Sequence, residues 1–414
     1  MILLLKVLNS ILSLTNLTKF NSSIIYGKEE RFMKIHRGFK VRIYPNKNQE
    51  KELWKQIYGC RFVWNYLINL QQTRYKNKEK HLSEFEMCRV LPELKEKKEY
   101  SWLKEVSARS MQIICGDLSR DYSNFFKKKG NYPKFKTKKK AKNKYPVDGV
   151  KLWFDKENYV HIPKIGKVKF KTDFNIPTGS KIKIINPRIE FTYMEKWMLS
   201  FSLEIEKQNF ELNEFSIGVD LGIKETAVVS YDGKSLVYHN INKSKEIRRI
   251  DKQLRHVYRT MCRKFEHNRE GNKYYHTNNI NKEIRKIRRL FNRKKGIKYN
   301  YLHQMTHEIM SLKPKRIVME DLNVSRMLKN KHLSHAIQEQ CFYEIKDKIR
   351  YKCEEMGIEF VEADRFYPSS KICSCCGEVK KKLLLSERTY KCEYCGLTID
   401  RDLNAAKNLE KYEI

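Results

Sequence analysis

A multidomain chain that combines α+β and α/β architecture is the fold class this sequence predicts. Three observations point to it. Helical spacing dominates residues 46–126, short strands separated by turn residues fill 150–205, and from about residue 215 apolar strands alternate with long amphipathic helices. The length of 414 residues accommodates about two or three domains, each with a core of its own. Hydrophobic residues make up 40% and aromatic residues 12%, which excludes a disordered polycation.

Residues 1–32 open on MILLLKVLNSILSLTNL, too short and too interrupted to span a bilayer, with neither a charged n-region nor a small-residue cleavage site. They are expected to be an upstream extension, with Met33 as the real or alternative start. HRGFKVRIY (36–44) alternates in polarity and stops before Pro45, so it reads as a strand. Leu53, Ile57, Val63, Leu67 and Leu70 then recur at helical spacing, and Gly59 suggests two helices broken near it. Helical patterning continues to Phe126. VKLWF, YVHI, KVKF, KIKII and MLSFSLEIE follow as short strands of a small barrel or meander.

The third region starts near Phe215. SIGVDLGIKETAVVSYDG reads as a buried strand, a glycine turn and a second strand, with Asp232-Gly233 able to open a hairpin. Residues 243–298 carry two apolar stripes, Ile247, Ile250, Leu254, Val257, Met261 and then Ile280, Ile284, Ile287, Phe291, as expected of a helical hairpin. RIVME reads as a strand, residues from about 335 to 356 as one long helix, IEFVEA as a strand, and a last helix starts at about Asp402.

Charge narrows the partners. Lys and Arg number 86 against 49 acids, a formal net charge of +37. Such an excess favours a polyanion, because each neutralised phosphate releases condensed counterions. The excess is concentrated: residues 127–144 hold ten lysines and no acid, and 243–298 hold twenty Lys and Arg against five acids. Lys127, Lys128, Lys134, Lys136, Lys138, Lys139, Arg248, Arg255, Arg285 and Arg288 are the candidate nucleic-acid contacts, and Phe125, Phe126, Tyr132 and Phe135 are placed to stack on bases. No membrane partner and no small-molecule substrate are expected.

Three acids sit where catalysis would place them. Asp220 ends an apolar strand, Glu320 ends RIVME, and Asp402 opens the helix DRDLNAAKNL, whose Ala405 and Ala406 allow close packing. Two-metal phosphodiester hydrolysis needs carboxylates that converge from different elements to hold cations about 4 Å apart. Hard oxygen ligands select Mg²⁺ or Mn²⁺. Singly, each acid also fits a turn or a helix cap. Asp321 and Asp400 are neighbours that composition leaves as alternatives, as a turn or helix cap or as a ligand.

The eleven cysteines are an odd number, four of them in two CxxC pairs, which argues for a reducing compartment with a metal site. Cys373, Cys376, Cys392 and Cys395 form two CxxCG knuckles fifteen residues apart, the spacing of a structural zinc ribbon at about 369–398. The glycine after each second cysteine sets the register, which leaves Cys375 aside.

GVDLGIKETAVVS, IVMEDLNVSRM and SSKICSCCG…YKCEYCGLTIDRDLNAAKNL, in that order, resemble the TnpB family, the transposon-encoded OrfB proteins related to compact type V CRISPR effectors. FKVRIYPNKNQEKELWKQIYGCRFVWNYLI is similar to the family's opening segment, so the resemblance spans Met33 to Leu409. It implies a wedge-type β-barrel over 33–45 and 145–205, interrupted by a helical recognition insert over 46–144. An RNase H-like (RuvC) domain over 206–414 then carries the inserted zinc ribbon. The resemblance prefers Asp402 to Asp400 as the third catalytic acid. It further implies a guide RNA from the transposon end, target double-stranded DNA beside a short adjacent motif, catalytic Mg²⁺, structural Zn²⁺ and a prokaryotic cytoplasmic setting at the nucleoid. The expected activity is RNA-guided DNA cleavage; the alternative is a non-catalytic, zinc-containing nucleic-acid-binding accessory of transposition.

Overall fold

The computed structural model describes residues 34–414, apart from 139–140, 173, 175, 177–181, 207–209, 385–386 and 414. The expectations for residues 1–32 and for Lys139 fall outside the described residues.

Strand β1 (Lys34–Tyr44) leads into helix α1 (Lys47–Lys76), whose N-terminus is closed by a capping box between Asn46 and Gln49. The helix is continuous, not two helices broken near Gly59. That glycine serves a close approach instead: a Cβ there would lie 2.4 Å from Val106 Cγ2. Helices α2 (Glu84–Glu96) and α3 (Ala108–Phe126) flank a 3₁₀ segment (Lys98–Glu105). Strands β2 (Asn143–Pro146), β3 (Trp153–Phe154), β4 (Tyr159–Ile162), β5 (Gly166–Lys171), β6 (Ile184–Phe191) and β7 (Trp197–Glu206) join β1 in one antiparallel sheet of order β2-β6-β7-β1-β5-β4-β3. No ladder joins β2 to β3 among the described residues, so this curled sheet is open; of the expected barrel or meander, β3, β4 and β5 run as a meander, while β1 and β7 lie between β5 and β6. Its inner face and the three helices share one core, including Val41, Ile43, Leu53, Leu67, Met111, Leu199 and Phe201.

A second core lies in the C-terminal half. Strands β8 (Asn213–Leu221), β9 (Glu225–Tyr231) and β10 (Lys234–His239) form an antiparallel meander. Asp232 and Gly233 turn the β9–β10 hairpin with φ of 45° and 72°, the left-handed pair that such a tight turn requires. Helices α4 (Lys245–His267) and α5 (Asn278–Ser311) form the basic hairpin, with the short strands β11 (Arg269–Glu270) and β12 (Lys273–Tyr274) at its tip. The apolar stripes meet as expected at Ile250, Leu254 and Ile287, but Leu290 packs there while Phe291 stays exposed.

Strand β13 (Pro314–Glu320) lies parallel to β8, and a short helix α6 (Val324–Met327) follows. The expected single helix over 335–356 is two, α7 (Ser334–Gln340) and α8 (Phe342–Met356), parted by Cys341 at φ 58°. Strand β14 (Glu359–Ala363) adds in parallel to β13, giving the order β10-β9-β8-β13-β14. The small strands β15 (Thr389–Lys391) and β16 (Thr398–Asp400) precede the last helix, α9 (Arg401–Glu410).

Period-two alternation divides the faces of this second sheet. Ile217, Val219, Ile317 and Met319 pack onto α5 and α8, while Val318, Val361 and Ala363 form a smaller core with Leu409 of α9 on the other face. A Cβ on Gly218 would lie 2.1 Å from the Ala406 carbonyl oxygen and 2.3 Å from the Glu410 nitrogen. Only glycine lets α9 sit so close to β8. Gly218→Ala is therefore expected to destabilise the fold by about 1–3 kcal/mol, because backbone and not a flexible side chain must move. A denaturant titration checks this; an unchanged midpoint would contradict it.

Candidate functional site

Asp220, near the end of β8, and Glu320, at the end of β13, are two and two residues beyond Gly218 and Val318, which pair across the parallel ladder. Both therefore lie on the face covered by α9, and the same register carried two steps further sets them side by side. Asp400 caps α9: its Oδ1 accepts from the Asp402 nitrogen at 2.9 Å and the Leu403 nitrogen at 3.2 Å. That cap leaves Asp402 in the first turn, facing a cavity of about 1020 Å³ that Asp220 and Glu320 also line. Lys224, Arg388 and Arg401 supply cations on its wall.

The electrostatics agree with the geometry. Burial, followed by the charges of Asp402 and Glu320, holds the Asp220 carboxyl well above the usual carboxylate range. Glu320 is pushed up by burial and by Asp321, and Asp402 by burial and by Asp400. Asp321 behaves oppositely. It is bound by Arg365, with Nε at 3.0 Å, and by Lys346 at 3.3 Å, and those bonds hold it below the usual range. The neighbouring acids left open by the sequence are thus both engaged, Asp400 as a cap and Asp321 in ion pairs. Asp220, Glu320 and Asp402 offer only oxygen donors, and the charges of Asp402 and Glu320 raise the proton affinity of Asp220 between them. A divalent cation relieves such repulsion, so the residues fit a hard metal.

The Sγ atoms of Cys373, Cys376, Cys392 and Cys395 all lie within 4.8 Å of one another, the one donor group of three or more drawn so tightly among the described residues. Cys373 and Cys395 are 3.6 Å apart, as are Cys376 and Cys392. Gly377 and Gly396, at φ 79° and 74°, turn each knuckle and donate to the carbonyls of Cys373 and Cys392. The Cys395 N–H held against the Cys392 sulfur brings that thiol down to about 7, whereas burial and hydrogen bonds with the neighbouring thiols push Cys376 up and Cys395 up to about 12. Cys375 stands exposed outside the group.

Sequence reasoning missed the clamp between the cysteine segment and α9. Buried Asn404 accepts from the Ser374 nitrogen at 3.0 Å and donates to the Ile372 carbonyl at 2.6 Å. Asn408 donates to the carbonyls of Ser369 and Ile372, both at 2.7 Å. The signal was two asparagines four residues apart on the apolar face of a helix.

The candidate nucleic-acid contacts divide. Lys127, Lys128, Lys134, Lys138, Arg248 and Arg255 are exposed, as are Phe125, Phe126, Tyr132 and Phe135. Lys136 turns inward: its Nζ lies 3.0 Å from the centre of the Trp64 ring, burial brings it down to about 8, and Asn65 bonds its backbone at both ends. Arg285 pairs with Glu195 at 3.0 Å and Arg288 reaches the Tyr193 carbonyl at 3.5 Å, so both hold the helical hairpin to the β6–β7 turn. No helix among the described residues is long and apolar enough to cross a membrane.

Comparison with known proteins gives three family matches. Residues 200–331 match the family described as "Probable transposase", residues 342–409 the "Cas12f1-like, TNB domain", and residues 33–80 a "Helix-turn-helix domain". In the structure this last stretch holds one strand and one unbroken helix, with no second helix inside it. A Streptomyces pristinaespiralis protein named as an RNA-guided DNA endonuclease is 28% identical over 376 residues, 91% of this chain and 89% of its own length. InsQ of Escherichia coli, named likewise, is 29% identical over 397 residues, covering 91% and 92% of the two chains. Among solved structures, Cas12f1 in complex with sgRNA and target DNA shares the fold, with a TM-score of 0.57 and 14% identity over 91% of this chain and 99% of that one.

Proposed function

We propose, on the premise that this chain belongs to the TnpB family of transposon-encoded OrfB proteins, that it is an RNA-guided DNA endonuclease with Asp220, Glu320 and Asp402 as its catalytic acids. The observation that carries the proposal is the meeting of three carboxylates from β8, β13 and α9 on one cavity, each with its proton affinity raised. In this reading, residues 33–45 and 145–205 make the wedge domain, 46–144 the helical recognition insert, and 206–414 an RNase H-like (RuvC) domain. The sheet order supports the last assignment: three antiparallel strands extended by two parallel ones, with the acids at strand ends.

Asp220, Glu320 and Asp402 would hold Mg²⁺, or Mn²⁺ in its place. Bound there, such ions would supply polarisation of the scissile phosphate and a lowered pKa for the attacking water. The rest falls to the chain itself. Asp400 keeps its carboxylate on the helix terminus and so fixes Asp402 at the cavity. Arg388, Arg401 and Lys224 offset the phosphate charge at the cavity wall. Cys373, Cys376, Cys392 and Cys395 would hold Zn²⁺ as a closed structural site in a ribbon over about 369–398, and Asn404 and Asn408 transmit that rigidity to α9.

The partners in this reading are a transposon-end guide RNA and double-stranded DNA next to a short adjacent motif, read by pairing while the protein holds the backbone; relatives named as RNA-guided DNA endonucleases support it. The setting is the prokaryotic cytoplasm at the nucleoid. A Mn²⁺ titration followed by calorimetry tests the metal assignment. Asp220→Asn is expected to weaken binding by at least about tenfold, and equal binding by wild type and variant would contradict it.

A further inference from the structure

Away from the cavity, α8 packs against the C-terminal half of α5 close to β1, and cations gather there that the nuclease reading does not use. Lys348 is only 9% exposed, an unusual place for a charged side chain. Lys352, one turn on, is partly buried. Neither amine has a carboxylate within ion-pair distance among the described residues; their partners are neutral. Lys348 Nζ lies 2.9 Å from His303 Nε2 and 4.8 Å from the centre of the Tyr299 ring, and Lys352 Nζ donates to Thr306 Oγ1 at 2.7 Å. Arg37 of β1 adds a further cation, its guanidinium 3.9 Å from Glu355.

The effect on the group is mutual. Burial, then Lys348, brings Lys352 down to about 8, with Arg37 lowering it further and Glu355 opposing. Burial lowers Lys348 too, against Glu344 and Asp347 of its own helix, and His303 is lowered by burial and by both lysines. Tyr351 also lies near, between Glu355 and Arg37. A half-buried ammonium with no carboxylate in direct contact is costly, and an anion between these side chains reduces the cost. His303 and Arg37 are exposed, so the cluster opens to solvent on a chain of net charge +37.

We infer that His303, Lys348, Lys352 and Arg37 form a phosphate-binding site between the two cores, occupied by a phosphodiester group of a bound nucleic-acid strand. The identity of the occupant rests on the nucleic-acid-binding reading above; the anion site itself does not. Lysine ammoniums act here as point charges on one phosphate, held in place by Tyr299 and Thr306.

The test uses the full chain with Lys348→Met, Lys352→Met and Lys352→Arg. In the first arm, inorganic phosphate is titrated against the melting temperature. Wild type and Lys352→Arg are expected to be stabilised, and the two methionine variants much less. Equal stabilisation of all four proteins overturns the site, whether or not the chain binds nucleic acid. The second arm measures affinity for a mixed-sequence RNA over a range of salt. Each methionine variant is expected to bind about tenfold more weakly, with the salt slope reduced by about 1. Unchanged affinity, or weaker binding at an unchanged slope, overturns the assignment to a phosphodiester. Wild-type affinity is also expected to fall as pH rises through about 8, with the fall flattened in Lys352→Arg. Methionine keeps the buried stem, so both variants are expected to melt no lower than wild type without phosphate. A failure of every protein to bind RNA would instead count against the nuclease reading.

Discussion

Asp220→Asn is expected to lower DNA cleavage by at least about 10²–10³-fold while raising the melting temperature of the protein in a chelating buffer. The first effect follows, under the proposed assignment, from losing a charged ligand where two strands and a helix meet. The second follows from the sign of the proton affinities. Asp220, Glu320 and Asp402 all bind protons more tightly in the folded chain than ordinary carboxyls do. The native state then holds more protons than the unfolded state in the interval above the ordinary carboxylate range. Stability is lost as pH rises through that interval, and the loss persists at neutral pH. Asparagine removes one of the repelling charges. Thermal melts at neutral and mildly acidic pH would show the variant's advantage shrinking as pH falls. An Asn variant that melts below wild type at neutral pH would show instead that Asp220 serves the fold.

Under the proposed zinc assignment, removal of the metal from the four cysteines is the second change expected to have a large effect. Structural zinc sites of this kind contribute roughly 10–16 kcal/mol of folding free energy to small domains. Here the four sulfurs converge from two turns linked by short strands, with little apolar material beneath them: Tyr390 and the cysteines themselves, with Leu383, Leu397 and Ile399 partly buried. Cys392→Ser, or a strong chelator, is therefore expected to unfold residues 370–400. The consequence extends to cleavage, because Asn404 and Asn408 lose the carbonyls of Ser369 and Ile372 that steady α9 and Asp402. Hydrogen exchange should show protection vanishing from the ribbon and weakening in α9, with β8 and β13 retained. Full activity after the metal has left would refute the coupling.

The parts of the site that the sequence made legible are those whose chemistry needs a fixed residue type. Two CxxCG pairs, apolar strands ending in acids, and a helix beginning at Asp402 were all readable, because spacing and alternation are local. Asp400 was ambiguous, since a cap and a metal ligand both call for an aspartate at a helix start. The hydrogen bonds from the nitrogens of Asp402 and Leu403, which show Asp400 as the cap, exist only in three dimensions.

Misreadings arose where a distant residue overrode a local signal. Gly59 reads as a helix breaker, but its missing side chain makes room for Val106, 47 residues away, and the helix runs on. The helical periodicity over 335–356 concealed the left-handed Cys341, a conformation no pattern of apolar residues encodes. Lys136 looks like its neighbours in a lysine run. Only the fold sets it against Trp64.

A single cleavage assay decides whether the three carboxylates form one RNA-directed cleavage site. The chain is purified with its transposon-end RNA and incubated with Mg²⁺ and plasmid DNA that carries the guide-matched sequence beside a randomised adjacent motif. Wild type is expected to cut the matched plasmid only when both RNA and Mg²⁺ are present, and Asp220→Ala is expected not to cut. The same absence of cleavage from wild type and Asp220→Ala across the whole randomised pool would contradict it, leaving a nucleic-acid-binding accessory in place of an enzyme.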